Sequence, residues 1–350
     1  MKKISKNIEK HSLSPRLISL IENGLKTNNY GFNQHIKIAE SILELSNLYK
    51  QNVSQSKIWS QAKFRAAYWC YFFPLNYLRM SYVLNEAKKL GFFPHDPIQW
   101  LDFGCGLGTT YQSVLDTLTN KHVSKFEMID ESSELLKYLS SFKKDLDLTN
   151  IQFKQNSEIP PSNSKEQILV LSYTLNELKN LTKNIFTYSH IVILEPSTQT
   201  HARNLMSFRE SLINNNYSIW GPCTHQNNCP LLTKSKSDWC HQRIHISLPN
   251  ELKRIESHLP MKNNTVTFSY LLASKTPNQV SKTIRVIGDT LFEKGKTRQS
   301  ICQNENIEYL SWLKKDGEPA QIPRGSRIQL TTEPLIKGNE LRVGNQFTIL

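Results

Sequence analysis

Apolar residues recur along this chain at two different periods, and the change of period divides it. Up to about residue 95 the spacing is helical. Ile38, Ile42 and Leu45 fall at i, i+4 and i+7, a second run extends from Ile58 to Phe73, and Pro74 closes it so that a new helix can run from Leu75 to Leu90. The aromatic cluster Tyr68, Trp69, Tyr71, Phe72 and Phe73 reads as core or domain packing rather than as a platform for stacking bases. The pattern predicts a helical N-terminal region, 1–95, capping a catalytic domain.

From 96 to 215 short apolar runs alternate with helical stretches. Strands are predicted at 98–101, 126–129, 151–153, 168–172 and 190–194, with helices between them, including one from Thr109 to Leu118 and a last one from Thr200 to Leu212. Continuous apolar strands separated by helices mean a parallel sheet buried on both faces, an α/β fold whose ligands sit at the carboxyl ends of the strands. Gly104 to Gly108, Asp130, Ser172 to Glu177 and Glu195-Pro196 all fall at those ends. Residues 216–264 are polar and break the alternation, as an insertion within a domain spanning 96–281. Residues 282–350, with turn signals at Asp316-Gly317, Pro323 and Gly325 between short strands, predict a small β module, with an OB-like topology as the candidate.

The chemistry starts at Leu101-Asp102-Phe103-Gly104-Cys105-Gly106-Leu107-Gly108. A strand that ends in closely spaced glycines and turns into a helix brings backbone close to a ligand beside a helix N-terminus. The next strand ends in Asp130, roughly 20 residues on, where an acid reaches a ribose diol. The pattern D-x-G-x-G-x-G has neither the third glycine of the dinucleotide type nor a P-loop Gly-Lys-Ser/Thr. It resembles the first motif of S-adenosylmethionine (SAM)-dependent methyltransferases, with Asp102, Gly104, Gly106, Gly108 and Asp130 as cofactor-binding residues. The bland alternative is an empty tight turn.

Composition changes the picture in two ways. No stretch of about 18 apolar residues exists to span a membrane, and the start, Met1 to Asn7, has basic residues without an apolar core, so a cytoplasmic protein is expected. The net charge of +13 is unevenly placed: residues 1–90 carry 14 basic and 5 acidic side chains, 91–200 carry 9 and 13, and 201–350 carry 20 and 12. A mildly acidic core between basic flanks suits a protein whose flanks grip a polyanion, although surface lysine kept for solubility gives the same count.

Three of the six cysteines, Cys223, Cys229 and Cys240, stand in the polar segment at a C-x5-C-x10-C spacing, and Cys302 follows 62 residues later. Cys70 and Cys105 read as ordinary buried or loop thiols. Without a secretory context, clustered cysteines suggest metal more than disulfide, either structural zinc or an iron-sulfur cluster, with His225, His241 or His245 able to replace one thiolate in a Cys3His zinc site. The spacing leaves the metal open.

A longer series of motifs narrows this. The glycine turn, Ser172-Tyr173-Thr174-Leu175-Asn176-Glu177-Leu178, Ile193-Leu194-Glu195-Pro196 leading into a helix with Arg203 and Arg209, Pro222-Cys223-Thr224-His225, Cys229-Pro230-Leu231, Trp239-Cys240-His241, Phe268-Ser269-Tyr270, Arg285-Val286-Ile287-Gly288-Asp289 and Ile301-Cys302 follow in that order. In this the chain resembles the Rsm-twenty-two-type family, methyltransferase-like proteins of bacterial and mitochondrial small ribosomal subunits, over about residues 65–315. It departs from the family pattern after the first and third cysteines, with Thr224-His225 and His241-Gln242-Arg243. The resemblance implies a class I SAM-dependent methyltransferase (Rossmann-like) fold, association with the small ribosomal subunit and its rRNA during assembly, and a 4Fe-4S cluster on Cys223, Cys229, Cys240 and Cys302. Such a shared metal would pin the C-terminal module to the inserted loop.

The acceptor of a methyl group is not legible. No Asn-Pro-Pro-Tyr-like motif follows the fourth strand, and no Pro-Cys supplies the nucleophile for pyrimidine C5. Asn176 and Glu177, the candidate catalytic residues, are placed to orient a target or act as base, or equally to cap a following helix. Two functions stay open: an rRNA methyltransferase, and a non-catalytic assembly factor that holds small-subunit rRNA through its basic flanks and a metal-stapled loop. The expected partner is the small subunit, with no membrane and a monomer off the ribosome.

Overall fold

The structure, a computed structural model, describes residues 9–350 apart from 52–57, 96, 119–122, 143–150, 179–181, 279–282, 317, 321 and 345. Residues 1–7, read above against a secretory leader, and Gly317 of the expected Asp316-Gly317 turn lie outside the described residues. The chain forms two compact units. One comprises residues 9–188 and 244–266, the other 189–243 and 267–350.

The first unit opens with strand β1 (Lys10–Ser12) and helix α1 (Pro15–Thr27). Ser14 caps α1 by accepting from the Leu17 amide at 3.4 Å, proline occupies the first turn, and Leu17, Leu20, Ile21 and Leu25 bury one face. Helices α2 (His35–Lys50) and α3 (Ala62–Ala67) follow, and α3 runs into a π-helical turn, Tyr68–Phe72, and on into α4 (Phe73–Lys89). Pro74 therefore does not divide two helices as expected. The wider turn, closed by the Phe73 amide on the Tyr68 carbonyl, lets the chain pass a residue that has no N–H to give. Trp69 of this turn packs on α1 where Gly24 stands, and a Cβ there would lie 2.5 Å from the indole.

The strands follow the pattern. β2 (Ile98–Phe103), α5 (Thr109–Thr117), β3 (Val123–Asp130), α6 (Ser133–Ser141), β4 (Ile151–Gln155) and β5 (Gln167–Ser172) form a parallel sheet in the order β4-β3-β2-β5. Since β3 and β4 are laid down to one side of β2 and β5 to the other, the strand order reverses between β2 and β5. In an open α/β sheet the ligand crevice lies at that reversal, outside the carboxyl ends. The N-terminal helices belong to this unit and are tied to it. Arg16 of α1 donates through one Nη to both oxygens of Asp116 at 2.9 Å, and Asn28 and Trp69 donate to the hydroxyl of Tyr138 at 2.9 and 3.0 Å.

In the second unit β6 (His190–Glu195) leads to α7 (Gln199–Asn214) and β7 (Ser218–Gly221). The polar segment beyond is less irregular than its composition suggests. It holds α8 (Pro230–Thr233), β8 (Gln242–Ser247) and α9 (Asn250–Glu256), of which residues 244–247 and α9 belong to the first unit, where β1 pairs in parallel with β8. β9 (Thr265–Ser274) then pairs antiparallel with both β6 and β7. Residues 284–349 make a seven-stranded sheet from β10 (Ile284–Glu293), β11 (Lys296–Cys302), β12 (Glu308–Leu313), β13 (Arg327–Leu330), β14 (Leu335–Lys337), β15 (Glu340–Arg342) and β16 (Phe347–Ile349). β10, β11 and β12 form a meander, β13 returns to β10, and β15 lies parallel to β12. Val286, Ile301, Leu310, Trp312 and Ile328 fill its core.

Candidate cofactor site and a cysteine-lined cavity

Gly104, Gly106 and Gly108 all adopt the left-handed backbone that glycine tolerates, at φ 72°, 51° and 76°. The turn is anchored to the next strand by the amides of Gly104 and Cys105, which donate to the Ile129 carbonyl at 2.8 and 3.1 Å. Space as well as conformation excludes side chains. A Cβ on Gly104 would lie 2.1 Å from the Thr174 methyl, and one on Gly106 would meet the Tyr68 hydroxyl at 3.2 Å. Asp130 closes the turn from β3, with one oxygen 3.4 Å from the Gly106 amide and the other accepting from the Ser132 amide at 3.0 Å.

The surroundings are acidic. Burial pushes the Asp102 carboxyl up to about 7, with some relief from the nearby Thr110 hydroxyl and a further push from Asp130; that hydroxyl is too poorly aligned to complete a hydrogen bond, and neither oxygen has one among the described residues. Asp130 is pushed to about 6, mainly by burial, against the stabilising amides of Ser132 and Gly106. Thr174 contributes a buried hydroxyl that likewise completes no hydrogen bond among the described residues. Asn176 and Glu177 lie in the turn after β5, whose Glu177 amide donates to the Thr174 carbonyl at 3.0 Å. Glu177 stands at the rim, where desolvation and then Asp130 and Glu131 raise it to about 6. The next described helical element is a 3-10 turn, Lys183–Thr187, which Thr182 precedes; Asn176 and Glu177 cap no α-helix among the described residues. Thus Asp102, the three glycines, Asp130 and the Asn176-Glu177 turn come together at one crevice. Thr174, within the Ser172 to Glu177 run expected at the strand ends, joins them, as does Tyr68, which lies in an aromatic run whose composition reads as core.

Cys223, Cys229, Cys240 and Cys302 also come together, in the second unit, around a cavity of about 20 Å³ completed by Met206, His225 and Arg285. Arg203 of α7 holds the segment in place by donating to the carbonyls of Leu231, Ser235 and Asp238 at 3.0 Å and of Leu232 at 3.2 Å. The Cys302 end is fixed by Thr224, whose hydroxyl donates to the Cys302 carbonyl at 3.2 Å, and by His225, whose Nε2 lies 3.2 Å from the Cys302 sulfur. Of the three histidines weighed as ligands, His225 lines the cavity, His241 stands outside its wall and His245 lies in the other unit.

This geometry corrects the expected metal. Among the described residues no group of three or more His, Cys, Asp or Glu side chains is placed to hold a metal ion, so neither the 4Fe-4S cluster nor its zinc alternative has support. The cavity that the four cysteines line has room for about one water, far less than a four-iron cluster fills, and in the metal-free protein burial pushes Cys229 up to about 12 and raises Cys240 and Cys302. Cys70 and Cys105 are buried in the π turn and the glycine turn.

One protein-family model, described as mitochondrial small ribosomal subunit Rsm22, matches residues 60–327, which include the glycine turn, Asp130, Glu177 and all four clustered cysteines. The chain belongs to the Rsm22 family. Solved structures similar to this Rsm22-family chain include a SAM-dependent methyltransferase from Aquifex aeolicus (14% identity, 57% of this chain and 93% of that one, TM-score 0.35). A precorrin-6y C5,15-methyltransferase from Geobacter metallireducens matches at 11% identity over 56% of this chain and 87% of that one, with a TM-score of 0.35. An rRNA methylase from Streptococcus thermophilus matches at 10% identity over 56% and 93%, with a TM-score of 0.31. No curated protein matches the sequence. No described helix is long and apolar enough to cross a membrane.

Proposed function

We propose that this Rsm22-family chain binds SAM at the glycine turn and works on the small ribosomal subunit, with its rRNA as the acceptor. The observation that carries the reading is the crevice itself. Three glycines, where a Cβ would crowd Thr174, Tyr68 or Met128, follow a buried carboxylate, Asp102, whose oxygens complete no hydrogen bond among the described residues. A ligand with a positively charged donor and a ribose diol fits both Asp102 and Asp130. When bound, SAM supplies a methyl group made electrophilic by its sulfonium. Asp130 would hold the ribose, Gly104 to Gly108 would admit the cofactor's backbone-close end, and Asn176 would orient the acceptor. Glu177, raised to about 6 and so largely ionised at neutral pH, would take the proton that the acceptor loses.

The basic flanks supply affinity for rRNA, and the meander of β10 to β12 with β13 on its first strand and a parallel β15 on its third supports an OB-like reading of the C-terminal module. The assembly-factor reading differs only in whether methyl is transferred. Two measurements separate the levels of the proposal. Calorimetry with SAM on the wild type and on Asp130→Ala tests the cofactor site, and unchanged affinity in the variant would sink it. Tritium from methyl-labelled SAM entering purified immature small subunits tests transfer; binding without incorporation would leave an assembly factor.

A further inference from the structure

The hairpin that joins β10 to β11 ends in open space. Glu293 pairs with Lys296 across it, Lys294 and Gly295 make the turn, and a Cβ on Gly295, at φ 89°, would meet nothing within 4 Å. Two residues before the turn stands Phe292, which at 80% is the most exposed large apolar side chain among the described residues, with Leu291 beside it at 46%. Successive side chains alternate across a strand, so these two present apolar surface on both faces of the hairpin. The core of this sheet is filled by Val286, Ile301, Leu310, Trp312 and Ile328, and Phe292 takes no part in it. An aromatic ring held out in water beyond the core marks an interaction site rather than a packing position.

The charge around the tip is cationic. Lys294 lies in the turn itself, and the Lys314 amide donates to the Gly295 carbonyl at 3.0 Å, which fixes the 3-10 turn Lys314–Asp316 beside the tip. Lys294, Lys314 and Lys315 are exposed and complete no ion pair among the described residues. The acid of the hairpin, Glu293, is occupied by Arg298, whose Nε donates to it at 2.8 Å, and stands 3.9 Å from Lys296; both cations are also engaged by Glu340. A ring flanked by three unengaged lysines matches a partner that carries phosphates and flat apolar faces together. Unpaired RNA has both, whereas a duplex hides its base faces in the stack. An anionic bilayer offers charge as well, but it would meet the turn first, and the turn is lysine and glycine with the ring set back from it.

We infer that the β10–β11 hairpin is a docking element for unpaired RNA, with Phe292 stacking on a base and Lys294, Lys314 and Lys315 meeting the phosphates around it. The inference rests on the rRNA reading above and deepens it by giving the form of RNA that is held; it does not depend on SAM.

The test is fluorescence anisotropy of the full chain with a labelled oligoadenylate of about 12 nucleotides, a length that single-strand sites span, and with an RNA duplex of the same length. The wild type binds the single strand more tightly. Phe292→Ala weakens the single strand roughly fivefold to a hundredfold and leaves the duplex within about twofold, and Phe292→Tyr, which keeps a ring, retains most of the affinity. Because Phe292 lies outside the core, thermal unfolding of both variants follows the wild type. Replacing Lys314 and Lys315 together by alanine weakens both RNAs and lowers the slope of log affinity against log salt by about 1.4 for the single strand. Equal losses for single strand and duplex in Phe292→Ala, or no loss in either, overturn the inference and leave the rRNA reading standing. Phe292-dependent binding to phosphatidylserine vesicles with RNA affinity unchanged overturns it in favour of a membrane. Failure of the wild type to bind either RNA at low salt overturns the inference and the rRNA reading together.

Discussion

Two groups of functional-looking residues meet in this molecule, one in each unit, and they differ in the charge they gather. At the glycine turn Asp102 and Thr174 are buried and complete no side-chain hydrogen bond among the described residues, and three carboxyls are held above their ordinary pKa by burial and by neighbouring carboxyls. Around the four cysteines His225 meets the Cys302 sulfur through Nε2, Thr224 its carbonyl, and Arg203 gathers four carbonyls of the loop, while His225 Nδ1 completes no hydrogen bond among the described residues. Unmet polar groups cost free energy that a ligand or an ordered water can recover, and since those at the glycine turn include carboxyl oxygens while the one on the cavity's histidine is an imidazole nitrogen, it is the first region that suits a cationic ligand.

The comparison breaks most easily at Gly106. Replacement by arginine places a long side chain where the Tyr68 hydroxyl leaves only 3.2 Å even for a Cβ, in a backbone conformation that side chains resist. SAM affinity should fall by at least about a hundredfold, more than about 2.7 kcal/mol, with the fold retained by circular dichroism. Unaltered affinity would mean that the turn holds nothing.

The second unit breaks at Arg203. Arg203→Ala should cost about 2 kcal/mol of stability in denaturant unfolding, because four backbone carbonyls lose a charged donor, and should speed thiol labelling of Cys229 and Cys240. SAM affinity should not change. If labelling is no faster, the loop is held by something other than Arg203.

Acidity sharpens the difference. With folded pKa values of about 7 for Asp102 and about 6 for Asp130, against ordinary values of 3.8, the folded protein binds protons more tightly than the unfolded chain between pH 4 and 7. Without ligand the stability these groups contribute is present at low pH and is lost as pH rises through 7. A cationic ligand acts the other way, since it needs the ionised carboxylates. From pH 5 to pH 8 ionisation of Asp130, about one-tenth complete one pH unit below its value, should by itself raise SAM affinity roughly tenfold, and Asp102, ionised less still at pH 5, should steepen the rise. A flat profile would remove these carboxylates from the binding site.

Much of the first region is legible in the chain because it is local. The apolar runs at 98–101 and 126–129 extend only to Ile98–Phe103 and Val123–Asp130, and the glycines and Asp130 stand at their ends by simple counting. Tyr68 escaped because a π turn has no signature of its own: its residues are as apolar as a core, and only the extra residue per turn moves two of them to the other face. Strand Gln242–Ser247 escaped because polar residues disguise an alternation in which Gln242, Ile244 and Ile246 point inward. The grouping of the four cysteines was legible from their motifs in order, but their surroundings were not, because the contact that fixes Cys302 comes from His225, 77 residues away.

The finest test lies at that contact. Cys302→Ala removes one sulfur from the cavity wall, leaves His225 Nε2 without its 3.2 Å neighbour and enlarges a space that already amounts to about 20 Å³, room for one water. Cavity growth and a lost weak hydrogen bond together should cost about 1 kcal/mol in unfolding experiments. Cys302→Ser, which keeps a small polar atom facing His225, should cost less than the alanine variant, and SAM affinity should be unchanged in both. A serine variant as unstable as alanine would show that the sulfur acts through its volume against Met206 and Ile287 rather than through the histidine.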